Sequence, residues 1–147
     1  MRALVWLLAV STGFSACQPA FAQQICLAII HHAIGIAEIR DTGLDRDSAI
    51  GRQLATRSIK GFQNKEHERA LIASVARWAY IQRDLPPENF ASFHYAACRY
   101  GVFQLNEARF RDVFPRLYER ARECQKESPN PKDFTVCIAP AFKAEFP

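Results

Sequence analysis

The chain has 147 residues, 49% of them hydrophobic, and a formal net charge of +4 from 19 basic and 15 acidic side chains. This is the length of one domain with enough apolar material for a core. Acids interleave with the bases nearly everywhere, which excludes the clustered basic face of a nucleic-acid binder. Few glycines and no apolar–polar alternation exclude a sheet protein.

Residues 1–22 have the layout of an export signal. Met1-Arg2 gives a positive tip, "ALVWLLAV" (3–10) an apolar run, and Ala20-Phe21-Ala22 a small-x-small cleavage site. The run is too short to span a bilayer. Cleavage after Ala22 makes Gln23 the first mature residue. A competing site lies in "FSAC" (14–17), which resembles the box before the lipid-modified cysteine of bacterial lipoproteins and would leave an acylated Cys17. Phe14 stands where that box usually has Leu, so Ala22 is preferred. The mature chain, 23–147, keeps about 125 residues, with 18 basic against 15 acidic side chains. No later apolar run is long enough to cross a membrane.

The first helix is predicted over 25–40. Ile25, Ile29, His32, Ile36 and Ile39 form one stripe and Cys26, Ile30, Ala33 and Ala37 a second. A helix apolar over most of its circumference is a buried, central one. Gly43 ends it in a left-handed cap. A second helix is predicted over 44–59, capped by Asp45. A third, over 65–83, is capped by Asn64, with Leu71, Val75, Trp78 and Gln82 on one side and acids in its first turns. "DLPPE" (84–88) restarts the chain, because proline is tolerated in a first turn. The fourth helix, near 87–100, groups Phe90, Phe93 and Ala97.

A fifth helix is predicted over 106–125, with the stripe Phe110, Phe114, Leu117, Ala121 and Cys124 and a kink or break at Pro115. "KESPNP" (126–131) is a polar turn before a short sixth helix disturbed at Pro140. The fold class is therefore all-α, a compact bundle of five or six short helices. Residues 23–104 form a four-helix core and 105–147 a C-terminal helical hairpin.

Five cysteines stand at 17, 26, 98, 124 and 137. Cleavage removes Cys17 and leaves an even number, which allows three pairings. A hairpin brings Cys124 to Cys137. That leaves Cys26 with Cys98, joining the first helix to the fourth.

Candidate chemistry is sparse. Adjacent helical residues point about 100° apart, so His31-His32 is read as one packed and one surface histidine rather than a metal pair. "HERAL" (67–71) begins like H-E-x-x-H, but Leu71 replaces the second ligand, and His67 is a solvated first-turn residue. Glu66, Glu68, Glu107, Asp112, Glu119 and Glu123 read as solvated helix faces. No phosphate-cradling or nucleophile-elbow motif is present, and no metal or cofactor is expected. Arg109, Arg116 and Arg120 share one side of the fifth helix. With Tyr118 they form a candidate interaction surface, since Arg and Tyr are favoured interface anchors.

Cys26, the segment "AEIRDTGLDRDSAI" and Cys98 together resemble small exported helical proteins of proteobacteria whose function is not known. The resemblance implies a disulfide-tied helical fold and no activity. The functional expectation is an exported, non-enzymatic interaction protein of the periplasm or medium. It would be an inhibitor, an immunity-type protein or an accessory subunit of an envelope complex, and its partner another exported or envelope protein. The alternatives are a small envelope hydrolase using His94, Tyr95 or His31, and a lipid-anchored scaffold held by Cys17. A cleft holding a buried histidine against a carboxylate would favour the enzyme; separated polar groups on a flat surface would count against it.

Overall fold

A computed structural model describes the backbone of residues 18–59, 64–100 and 107–146, and their side chains except those of 18–24 and 107–110. Among them are six helices and no strand: α1 (Gln18–Asp41), α2 (Arg46–Arg57), α3 (Lys65–Ala79), α4 (Pro87–Arg99), α5 (Glu107–Glu127) and α6 (Pro131–Glu145). The leader through Cys17 lies outside the described residues.

The turn chemistry is as the residue types require. Gly43 adopts φ 85° after α1, a conformation that strains a side chain with a Cβ. Asp45 caps α2 by accepting from the Asp47 and Ser48 amides at 3.0 Å. Asn64 does the same for α3 through Glu66 and His67, and Asn130 for α6 through Asp133. Each such cap contributes about 1 kcal/mol.

α1 packs against α2, α3 and α4, while α6 packs against both α4 and α5. The predicted α1 stripe is buried, with Ile29, His32 and Ile36 at 0% exposure. Phe90, Phe93, Phe134 and Phe142 are fully buried. Each contributes roughly 1.5–3 kcal/mol by leaving water. Phe93 meets Phe142 and Phe114 edge to face, and Phe114 lies over Trp78, which joins α5 to α3. Cys26–Cys98 clamps α1 to α4 and Cys124–Cys137 clamps α5 to α6, as the spacing predicts.

Four boundaries differ from expectation. α1 begins at Gln18 instead of 25, so its backbone is helical through the predicted cleavage site at 20–22. α3 stops at Ala79 instead of running to 83, because the Ala79 and Gln82 carbonyls turn toward the buried Arg40 guanidinium. α5 runs unbroken through Pro115 and α6 through Pro140. Both prolines are exposed, so the carbonyl each leaves without a helical donor lies on the outer side of its helix, where water can reach it. Burial of Phe114, Leu117, Ile138 and Phe142 on the inner faces holds both helices together.

A buried histidine–carboxylate junction as candidate functional site

α1, α2 and α3 meet around His32, Gln53 and Glu68, all at 0% exposure. The register of each helix accounts for this. His32 continues the Ile29–Ile36 stripe, Gln53 follows buried Ala49 by one turn, and Glu68 precedes buried Ile72 by one turn. Gly35 leaves the space Gln53 needs: a Cβ there would collide with Gln53 Oε1.

Glu68 is the hub. Its Oε1 accepts from the Ile59 amide at 2.6 Å, and its Oε2 accepts from Ser58 Oγ at 2.8 Å and Lys65 Nζ at 3.0 Å. Burial alone would raise its pKa. The donors from Ile59, Lys65 and Ser58 outweigh burial and hold the carboxyl at about 2. His32 Nε2 stands 3.2 Å from Oε1, off the line of a hydrogen bond. Gln53 Nε2 donates to His32 Nδ1 at 2.9 Å. That assignment places the imidazole proton on Nε2, facing the carboxylate. Burial first, and His31 second, push the His32 pKa below its ordinary value against the pull of Glu68, so the ring is neutral at pH 7.

The sequence reading placed Glu68 on a solvated face; the structure corrects this. The signal was present, because Glu68, Ile72, Val75 and Ala79 follow steps of 4, 3 and 4 on one stripe. His31 and His32 divide as expected. His31 is exposed and its ring meets the Arg57 carbonyl at 2.8 Å, closing the end of α2. His67 is exposed.

An open cleft of about 490 Å³ lies beside the junction, lined by Leu54, Ser58, Lys65, Glu66, Glu68 and Arg69. No protein family, curated protein or solved structure matches the chain. What the junction can do is therefore argued from its chemistry. The contact order is Ser58–Glu68–His32–Gln53. The serine hydroxyl faces a carboxylate that holds its proton only near pH 2, a weak base. The histidine lone pair at Nδ1 is occupied by Gln53, so no base stands next to Ser58 that could activate it. Among the described residues no three metal-ligating side chains gather.

The residues named from sequence lie apart from this junction. His94 is fully buried between Phe90 and Phe93, with Nε2 donating to Gln82 Oε1 at 3.0 Å; burial holds its pKa down to about 3. Tyr95 lines a separate groove of about 230 Å³ between α1 and α4. On α5, Arg116 grips Glu145 with two bonds of 2.8 and 2.9 Å. Tyr118 donates to Asp84 at 2.6 Å. Its pKa is pushed up to about 12, by burial first and by Asp84 second. Arg120 pairs with Glu123 and touches Cys137 Sγ. The Arg109 side chain lies outside the described residues.

Two predictions arise here. Gly35→Ala drives a Cβ into Gln53 and forces it off His32. The expected loss is about 1–3 kcal/mol, the cost of an unsatisfied buried polar group, read by urea denaturation. His94 stays neutral in the folded protein, whereas the unfolded chain takes up its proton below its ordinary pKa of 6.5. Its contribution is complete above pH 6.5 and is lost as pH falls toward 3, at roughly 1 kcal/mol per pH unit. His94→Gln should be less stable at pH 7 and should flatten the fall in stability between pH 6.5 and 5.

Proposed function

We propose that the protein is an exported, non-enzymatic interaction protein that acts on another exported or envelope protein, as an inhibitor, an immunity-type partner or an accessory subunit. The observation that carries this reading is the closure of the His32–Glu68 junction. Its carboxylate is engaged by Ile59, Ser58 and Lys65 and its imidazole Nδ1 by Gln53, which joins α2 and the α2–α3 connector to α1 and α3, while His32 Nε2 and Gln53 Oε1 face the junction without a hydrogen bond. Two disulfides support an oxidising compartment. No described helix is long and apolar enough to cross a membrane. The resemblance to small exported helical proteins belongs to the same proposal, and Arg116, Tyr118 and Arg120 on α5 are its candidate contact residues. Tagged protein recovered from envelope extract after mild cross-linking should carry a stoichiometric partner. Arg116→Glu with Arg120→Glu should weaken that recovery while circular dichroism stays unchanged. Absence of any partner would remove the reading.

A second reading rests on the cleft, which is lined by Glu68, the carboxylate against which His32 is buried. If the protein is a hydrolase, a panel of ester and amide substrates should detect turnover that Glu68→Gln and His32→Gln each abolish in folded protein. The lipid-anchored alternative predicts an acylated chain starting at Cys17 by intact mass, against an unmodified chain starting at Gln23.

A further inference from the structure

The two disulfides sit in different surroundings. Cys26 is buried between α1 and α4, and among the described residues no cation hydrogen-bonds either sulfur of its bridge. Each bridge joins a buried cysteine to a half-buried one, Cys26 to Cys98 and Cys124 to Cys137, the last on the outer side of α6 next to the 74%-exposed Val136. Arg120 Nη2 stands 3.3 Å from Cys137 Sγ and Glu127 Oε2 stands 3.7 Å from it. Arg120 also pairs with Glu123 at 2.8 Å and meets Glu127 at 3.6 Å. Both bridges thus present one half-buried cysteine, and among the described residues it is Cys137 that has a guanidinium against its sulfur.

We propose that Cys124–Cys137 is a thiol–disulfide exchange site that opens and recloses without unfolding the domain, with Cys137 the sulfur attacked by an external dithiol. A thiolate of the dithiol attacks Cys137 Sγ, the bond to Cys124 breaks, and Cys124 leaves with the electron pair and takes a proton from water. The second thiol of the reagent, as thiolate, then displaces Cys137. The dithiol is oxidised to a disulfide and both protein cysteines are reduced; the reverse sequence recloses the bridge. Negative charge spreads over three sulfurs as the bond exchanges, and Arg120 lies where that charge develops. Glu127 opposes the incoming thiolate.

A cycle of this kind needs a folded reduced state, and α6 supplies one. Phe134, Ile138 and Phe142 are fully buried, Phe142 packs on Phe93 and Tyr100, and the Arg116–Glu145 fork ties the far end of α6 to α5. Asn89 Nδ2 holds the turn between α5 and α6 through the Pro129 carbonyl at 2.9 Å. The bridge closes a span of only 13 residues, so its loss frees little chain.

The test is native full chain incubated with dithiothreitol, sampled in time, alkylated and peptide-mapped, with circular dichroism recorded in parallel. Cys124 and Cys137 should become labelled at least tenfold faster than Cys26 and Cys98, with helicity retained. Equal rates, earlier opening of Cys26–Cys98, or loss of helicity on opening would overturn the proposal. Charge variants separate chemistry from simple loosening. Arg120→Ala should slow opening several-fold, Arg120→Lys should restore part of the rate, and Glu127→Gln should speed it. If Arg120→Ala and Glu127→Gln both speed opening, only helix loosening is being read, and the role given to Arg120 is wrong.

Discussion

Arg40→Ala should lower the unfolding free energy by about 3–5 kcal/mol, a large part of the stability of a domain this size. The guanidinium is 7% exposed and reaches three backbone carbonyls: Ala79 at 3.1 Å, and Gln82 and Leu85 at 3.0 Å each. Its Nε donates to Asp41 at 2.7 Å. The Ala79 carbonyl ends α3 and those of Gln82 and Leu85 lie in the irregular stretch before α4, where the Gln82 carbonyl also accepts from the Leu85 amide at 3.3 Å. Truncation takes their donor from the Ala79 and Leu85 carbonyls, leaves Gln82 only the Leu85 amide and opens a void, and each unsatisfied buried group costs about 1–3 kcal/mol. Arg40→Met fills the void but supplies no donor, so it should remain nearly as unstable as the alanine variant. Arg40→Lys should fall between, because an ammonium cannot reproduce the planar fork. Urea unfolding of the three variants would rank them. An alanine variant within 1 kcal/mol of the parent would show that water reaches those carbonyls.

Glu68→Ala should be comparably damaging, at about 3–5 kcal/mol, for a different reason. It strands the Ile59 amide, removes the acceptor of the Ser58 hydroxyl and leaves Lys65 without its carboxylate, so the α2–α3 connector keeps only the Lys65 bonds to Ser58 Oγ and the Ile59 carbonyl as its hold on α3. Glu68→Gln keeps the shape and should cost less. It should also change the acid response. In the folded protein the Glu68 carboxyl is held near 2, below its ordinary 4.5, so its contribution is complete above about pH 4.5 and is lost as pH falls toward 2. The glutamine variant should lose that part of the fall in stability while keeping the part between pH 6.5 and 5 that comes from His94. Denaturation at pH 7, 5.5, 4 and 3 separates the two windows.

The sequence carried the local grammar well. Gly43, Asp45, Asn64 and Pro87 act through their own backbone or that of near neighbours, so residue type alone specifies their roles. The disulfide pairing was legible because helix order and spacing left a hairpin for Cys124 and Cys137. Glu68 and Arg40 were harder. A charged side chain on a helix is usually solvated, and only distant partners, such as Ile59 for one and Leu85 for the other, make burial tolerable. Pro115 and Pro140 misled in the opposite direction, since inner-face packing decided continuity over local preference. Gly35 carried no sequence signal; its role depends on Gln53 of another helix.

The cysteine bridges have one more property, visible when they are taken in chain order. Each joins a cysteine to the next one along the chain after Cys17, 26 to 98 and then 124 to 137, and neither loop encloses or crosses the other. If the chain is exported, as proposed, and oxidised as it emerges, each cysteine after Cys17 would meet its correct partner first. Native pairing during such emergence then needs no reshuffling step. Cys17 is the exception: if retained, it would reach Cys26 before Cys98 does. Removing it with the leader, as the Ala22 cleavage reading expects, keeps the order of synthesis and the order of pairing the same.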